Sequence, residues 1–467
     1  MRSIADTFAW LGVAGLEPTD GLERYSRAAA IARTRPARRT TPQGNPRTTI
    51  EIRAAVAAMR PHRIAHRVRA VADPGLLDEL AEHRIVFDVC PTSNVRLGIT
   101  SNLASHPLGW AAMSVYLVTG AAGFIGANYV HHLLEWEPDA QVVAVDYIGF
   151  AGNLANLDAV IDRIVFEKAD IADLEVMEAL YRRRQPDFVV NFAAESHNDR
   201  AILGPSSFMR SNALGAQVMA ECSRLVPVRS HVHVSTIEVY GELAAGDKWF
   251  TERSALNAKT PYSAAKAAGD QMVRAYMQTY PEMNIRMTHC ANNYGPFQLP
   301  EKLIPLAVTN VLRGKKVPVY GDGLQSRDWL HVADHCAAVH RVLHAELDPI
   351  PAAAATDPGL LPIFDVSARF EVTNIDIAAM VVTALGLNPD EWIEHIPDRP
   401  NHDRRYLINP DKIESQLGWA PTHDFASGIA ETVAWYVEHR AWWEQIIADK
   451  GELGFDWSQV GPASTPR

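Results

Sequence analysis

The chain has 467 residues, 47% apolar and 21% charged, with a net charge of −11. Its length exceeds one ordinary domain and its composition is that of a globular protein with a substantial core, so two or three domains are expected. The negative balance argues against a nucleic-acid or acidic-membrane footprint, and no apolar run approaches the ~20 residues of a membrane span. Cys90, Cys222, Cys290 and Cys336 are scattered without C-x-x-C spacing, so neither a zinc site nor a disulfide framework is read. Asp6 interrupts the short apolar start and no cleavage site follows it, so a cytoplasmic location is expected.

Residues 1–112 contain no lysine, are rich in arginine, and include R-P-A-R-R-T-T-P-Q-G-N-P at 35–46, the composition of a linker or disordered stretch. R-I-A-H-R at 63–67, D-P-G-L-L at 73–77, V-C-P-T-S-N-V-R-L-G at 89–98 and H-P-L at 106–108 resemble part of an adenosine deaminase barrel, over residues 50–108. A zinc deaminase needs several His and Asp ligands and a carboxylate around an activated water. Here there is no upstream H-x-H pair, no H-A-G-E run and no later paired-Asp loop. The glycines flanking that family's histidine are Ala65 and Arg67, so His66 is not read as a ligand and the segment is expected to be a non-catalytic extension.

At 118–126 the chain reads V-T-G-A-A-G-F-I-G, directly after the apolar run Val115, Tyr116, Leu117, and the next strand-like run ends in Asp146. This is the pattern of a dinucleotide-binding βαβ unit. Gly120 allows the tight turn, Gly123 lets backbone N–H groups approach a pyrophosphate, Gly126 permits close helix–strand packing, and Phe124 and Ile125 open the helix whose N-terminus favours the anion. Asp146, about 20 residues past the last glycine, fits a ribose hydroxyl acceptor and repels a 2′-phosphate, so NAD is expected over NADP.

Strand-like runs at 115–119, 141–146, 163–167, 188–192, 231–235 and 284–290 alternate with helical stretches at 127–135, 174–184 and 264–280, the pattern of a doubly wound parallel α/β sheet. In Y-S-A-A-K at 262–266 the spacing sets Tyr262 and Lys266 on one helix face, where the ammonium can lower the phenol from its usual pKa near ~10 and make it a usable base. From about residue 292 the pattern becomes irregular, as expected of a smaller substrate-binding domain. The expected divisions are a 1–112 extension, a 113–291 Rossmann domain, a 292–446 substrate region and a 447–467 tail. Trp435, Trp442 and Trp443 read as packing residues.

With N-F-A-A-E-S-H-N-D-R at 191–200 and S-T-I-E-V-Y-G at 235–241, these motifs resemble extended short-chain dehydrogenases/reductases. N-N-Y-G-P at 292–296, P-E-K-L-I-P at 300–305, V-Y-G-D-G at 319–323, R-D-W-L at 327–330 and R-P-N-H-D-R-R-Y at 399–406 narrow the resemblance to the dTDP-glucose 4,6-dehydratases, across residues 114–446. Met113 stands where chains of that family commonly begin and is a candidate natural start. The resemblance implies oxidation at C4 of a nucleotide hexose with NAD, loss of the C5 proton and the C6 hydroxyl as water, and return of hydride to C6, in an enzyme that is usually a homodimer. On the same resemblance Tyr262 is the C4 base, Lys266 tunes it and binds the nicotinamide ribose, Thr236 bonds the 4-oxygen and Glu238 is the C5 base. Asp170 and Ile171 would face the adenine, and Ala193, Ala194, Ser211 and Asn293 the rest of the cofactor. Ser196, Asn292, Lys302, Leu303, Pro318, Tyr320, Arg327, Arg399 and His402 would face the nucleotide sugar, with Arg327 and Lys302 suited to the diphosphate. No metal is implied.

The chain departs from that family in four places. Where the family carries T-D-E, with the aspartate as acid for the departing hydroxyl, this chain has Thr236-Ile237-Glu238, and isoleucine cannot donate a proton. Three accounts follow: Glu238 shuttles the C5 proton to the leaving water, another group or a water serves, or the elimination differs. Tyr147 and Gly149 stand in place of a lysine and a threonine beside the ribose acid, and Asn401 in place of a glycine. The alternatives are another reaction through the same 4-keto intermediate, such as 5,6-dehydration, decarboxylation or epimerisation, and a non-catalytic nucleotide-sugar-binding protein. Glu238 argues against a plain 4-epimerase, which needs no C5 base.

Overall fold

The computed structural model describes residues 114–244 and 246–454, and two short strands on the N-terminal side, β1 (Arg63–Ala65) and β2 (Val86–Asp88), which pair in parallel. The linker-like stretch 35–46, His66, the rest of the deaminase-like segment and the end of the tail, 455–467, lie outside the described residues. Met1–Met113 and Ser114–Arg467 are separate units.

The strands of the second unit are short runs, most of them containing β-branched residues. They are β3 (Val115–Thr119), β4 (Gln141–Asp146), β5 (Ile164–Lys168), β6 (Phe188–Asn191), β7 (Ser230–Thr236), β8 (Ile285–Cys290), β9 (Asn292–Tyr294), β10 (Val317–Tyr320), β11 (Ser326–His331), β12 (Ile363–Val366), β13 (Glu371–Thr373), β14 (Ile393–Ile396) and β15 (Arg405–Tyr406). Seven make one parallel sheet in the order β12-β8-β7-β6-β3-β4-β5. Side chains alternate between its faces. Tyr116, Val118, Val142 and Ala144 pack under helices Phe124–Trp136 and Val332–His344, whereas Leu117, Val143 and Val145 pack under Leu174–Arg184 and Gly215–Leu225. Strand order reverses between β3 and β6, so a crevice opens at the carboxyl ends of these strands, where doubly wound sheets bind ligands.

The sheet draws β12 from well beyond residue 291, and Val332–His344 packs on its face, so the second half of the chain is interleaved with the nucleotide-binding layer. The remaining strands form a small sheet, β13-β11-β15 with β9 on β11, and a parallel pair, β10 with β14. Around them Tyr294, Ile304, Val319, Trp329, Ile377, Phe425 and the fully buried Trp443 make a second core. The helix Arg440–Lys450 runs past residue 446, and its Trp442 donates to Asn156 Oδ1 at 2.9 Å.

A line of buried polar side chains crosses the sheet beneath the crevice. Thr119 donates to Asn191 at 2.5 Å, and Asn191 Nδ2 lies 3.1 Å from His233 Nδ1. Asp270, on helix Pro261–Thr279, accepts Ser235 Oγ at 2.9 Å and faces His289 Nε2 at 3.1 Å. His289 Nδ1 is 3.2 Å from Asp365, which also accepts the Tyr240 hydroxyl at 3.0 Å. Burial alone lowers His289, but its bonds to Asp270 and Asp365 outweigh it and raise the imidazole above its usual value. Burial likewise raises Asp270, yet the bonds from His233 and His289 carry its carboxyl well below the usual range.

His289→Leu therefore leaves two buried carboxylates without their shared cation and is expected to destabilise the protein by about 3–5 kcal/mol near neutral pH. A group raised on folding contributes fully below its unfolded pKa, about 6.5 for histidine, and its contribution is lost as pH rises through the folded value. Urea unfolding of the parent and the variant should show a deficit that is largest on the acid side of this range and narrows toward alkaline pH.

Candidate active site

The turn after β3 is built for a close approach. Gly120 has φ +66°, and a Cβ there would sit 2.7 Å from the Ala193 nitrogen; a Cβ on Gly126 would sit 2.1 Å from the Gly120 carbonyl oxygen. Helix Phe124–Trp136 starts at Gly123 with no side-chain cap, which leaves its amide donors to an anion. This turn opens on a cavity lined by Gly120, Gly123, Phe124, Ile125, Gly126, Asp146, Asp170, Ile171, Ala193, Ala194, Ser211, Tyr262, Lys266 and Asn293. All the residues expected from the sequence to face a dinucleotide are thus gathered on one surface, and the glycine cradle fits NAD.

Asp146 ends β4 buried at the cavity wall, its oxygens accepting Ala122 N at 3.1 Å and Ile148 N at 2.7 Å. Asp170 is held by Arg210 at 2.8 Å. The paired departures at 147 and 149 have one explanation. The Tyr147 ring lies over residue 149, where any Cβ would strike it at 2.1 Å, and its hydroxyl donates to Glu195 on the same cavity wall. Asn401 adopts φ +52°, a conformation asparagine tolerates better than most residues, so it stands in for glycine without breaking the loop.

The chemical groups sit at two element ends. Thr236 closes β7 and accepts the Glu238 amide at 3.3 Å, starting the turn Ile237–Tyr240. This turn sends Glu238 to the cavity wall and Ile237 into a buried cluster with Val239, Tyr240, Tyr406 and Ile408. Helix Pro261–Thr279 begins with a reciprocal cap: Thr260 Oγ1 accepts Ser263 N at 3.2 Å, and Ser263 Oγ accepts Thr260 N at 3.0 Å. Thr260 also donates to Asn198 Oδ1 at 2.9 Å, and Asn198 Nδ2 donates to Glu238 Oε2 at 2.9 Å. The phenol and the carboxylate are thereby tied to one frame.

Here the structure corrects an expectation. The Tyr262 hydroxyl is raised well above its usual value, first by burial and then by the charge of Glu238, against a lowering hydrogen bond from Thr236. The Lys266 ammonium, itself lowered by burial, donates to the Val234 carbonyl at 2.8 Å and does not offset this. Beside them, burial pushes the Cys290 thiol up to about 12, which leaves it unreactive near neutrality.

A second cavity meets the first along Glu238, Asn292, Asn293, Gln298, Glu301 and Lys302. Leu303, Pro318, Tyr320, Arg327, Arg399 and His402 line the second, Ser196 and Thr236 line the first, and Asn292 and Lys302 line both. Lys302 Nζ donates to the Ser196 carbonyl at 2.9 Å; Arg327 stacks 4.2 Å over Tyr406 and donates to the Asp403 carbonyl at 2.7 Å. Burial and the charges of Arg399 and Arg327 lower His402 to about 3, so it stays neutral. Sequence reasoning overlooked Asn198, Asp199, which lies 3.5 Å from Arg399, and Glu301, which burial raises to about 7. The first two stand inside the 191–200 motif and Glu301 inside the 300–305 motif, which are the signals that were available.

A family model described as GDP-mannose 4,6 dehydratase matches residues 117–432, and an adenosine deaminase model matches residues 3–113, a wider span than the motifs at 63–108 indicated. The dTDP-glucose 4,6-dehydratase of Streptomyces antibioticus is 41% identical over 356 residues, covering 75% of this chain and 98% of that protein. The crystal structure of the dTDP-glucose 4,6-dehydratase from Streptomyces venezuelae with NAD and TYD bound is 41% identical, with a TM-score of 0.65 over 71% of this chain and 99% of the other. The corresponding protein from Bacillus anthracis, in complex with NAD, is 38% identical, with a TM-score of 0.64 over 72% and 100% of the two chains. On these identities and coverages the chain belongs to the dTDP-glucose 4,6-dehydratase family of extended short-chain dehydrogenases/reductases.

Proposed function

We propose that the chain is an NAD-dependent nucleotide-sugar 4,6-dehydratase that converts dTDP-glucose to its 4-keto-6-deoxy product. The observation that carries this reading is the convergence of Thr236, Tyr262 and Glu238 at the junction of a glycine-cradled cavity with a cavity lined by Lys302, Arg327 and Arg399. Bound NAD supplies the hydride acceptor for C4, the donor for C6 and one positive charge that favours a tyrosinate. The three cations hold the diphosphate, and Thr236 and Tyr262 flank the 4-hydroxyl, whose proton passes to Tyr262.

Once C4 is a ketone, the C5 proton is acidic and Glu238 removes it. Ile237 faces hydrocarbon and takes no part; of the three accounts this reading takes the first, in which Glu238 delivers the same proton to the C6 oxygen as the C6–O bond breaks and water departs. Asn198 keeps the carboxylate in place through this exchange. The reading includes a cytoplasmic homodimer. Among the described residues no helix is long and apolar enough to cross a membrane, and Met209, Leu214 and Met272 expose apolar side chains on neighbouring helical segments.

Incubation with dTDP-glucose should yield a product lighter by one water, with the ultraviolet absorbance of a 4-keto-6-deoxy sugar in alkali; no turnover with any nucleotide hexose overturns the reading. Tyr262→Phe is expected to lower kcat roughly 10²–10⁴-fold while NAD stays bound. Glu238→Gln should stop after C4 oxidation, so that the reduced-nicotinamide band rises on mixing with sugar nucleotide and no 6-deoxy product forms. Lys302→Ala removes one charge-assisted hydrogen bond of about 1.5–3 kcal/mol and should raise KM by roughly tenfold or more with a smaller change in kcat.

A further inference from the structure

Away from both cavities, helix Val332–His344 carries His340 and His344 one turn apart, and His340 packs against Tyr129 and Trp136 of helix Phe124–Trp136, whose C-cap is Glu137. One ligand-capable atom from each of Glu137, His340 and His344 lies within 4.8 Å of the others. His340 Nε2 is 3.9 Å from Glu137 Oε1, and the two imidazole rings are 4.5 Å apart. Thirteen helical residues separate this cluster from the glycine turn, about 20 Å at 1.5 Å per residue, and none of the three lines either cavity.

Each imidazole has one ring nitrogen beside a tyrosine hydroxyl, His340 Nδ1 at 3.4 Å from Tyr129 and His344 Nε2 at 3.2 Å from Tyr116. An outer hydrogen bond of this kind orients a metal-ligating ring. Two helix C-termini, the negative ends of their dipoles, meet at the cluster. Arg286 donates to the Val342 and Ala345 carbonyls and neutralises one of them. At the other end stands Glu137, whose carboxylate faces His340. A half-buried carboxylate thus faces two imidazoles, the half-buried His340 and the exposed His344, and a cation would complement the three.

We propose that Glu137, His340 and His344 bind a borderline divalent cation of the Zn²⁺ class, clipping the helix that starts at the glycine turn to helix Val332–His344. Two imidazoles at i and i+4 with a carboxylate are a donor set suited to Zn²⁺, Co²⁺ or Ni²⁺, with a remaining position for water. The cluster His331, His423 and Glu431 is a poorer site: His331 Nδ1 accepts the Ala333 amide at 3.3 Å, which leaves the ring proton on Nε2.

The test titrates the full chain with Co²⁺, whose visible ligand-field bands report nitrogen and oxygen coordination, followed by displacement with Zn²⁺. The parent is expected to hold an equivalent of Co²⁺ that Zn²⁺ displaces, and His340→Gln/His344→Gln is expected to lose it with NAD content and turnover unchanged. His423→Gln and His66→Gln should keep that equivalent, and Glu137→Gln should weaken it roughly 10–100-fold or more. Absence of binding by the parent, or retention of every bound equivalent in the double variant, overturns the site.

Discussion

The hydroxyl of Thr260 accepts the Ser263 amide and donates to Asn198, whose side-chain amide in turn holds Glu238. Through that one oxygen the start of the Tyr262 helix, the segment after β6 and the turn after β7 share a common position. Helix dipole, cap and strand end are each ordinary devices. Joined by buried hydrogen bonds, they hold the spacing between a phenol and a carboxylate that have no direct bond to each other. The glycine turn has the same logic: Gly126 lets the helix approach Gly120, and Asn156, held by Trp442 from the far end of the chain, bonds the Ala122 carbonyl within it.

Burial sorts the charges around this frame. Lys302 and Arg327 spend hydrogen bonds on backbone carbonyls, so their charge remains available to an anion. Desolvation pushes the carboxyls of Glu301 up to about 7 and of Asp403 up to about 6, which weakens their competition for these cations. Beneath the crevice the sign is reversed, and hydrogen bonds to Asp270 and Asp365 raise His289 above its usual value against its burial. Asp270, one partner of that imidazole, also raises the pKa of Lys266 against its burial, which links the polar line under the crevice to the helix of Tyr262.

Much of this was legible in the sequence because period and punctuation are local signals. The glycine turn, the six strand-like runs and the Tyr262 helix lie within a few residues of their expected bounds, and the residues expected for cofactor and sugar line the two cavities. What escaped depends on distant partners. β12 pairs with β8 across some seventy residues of chain, the His289–Asp365 contact spans a similar gap, and the upward shift of Tyr262 comes from burial and Glu238, neither visible in a five-residue motif. The sequence shows the departures at 147 and 149 without a link between them; in three dimensions they are one ring and the space it requires.

Ile237 lies 1% exposed among Val239, Tyr240, Tyr406 and Ile408. An aspartate grafted there would enter hydrocarbon instead of the crevice, where ionising it is costly. With the side-chain direction seen here, Ile237→Asp alone adds no second carboxylate to the crevice. Under the proposed mechanism the neighbouring glutamate then serves both directions of proton traffic.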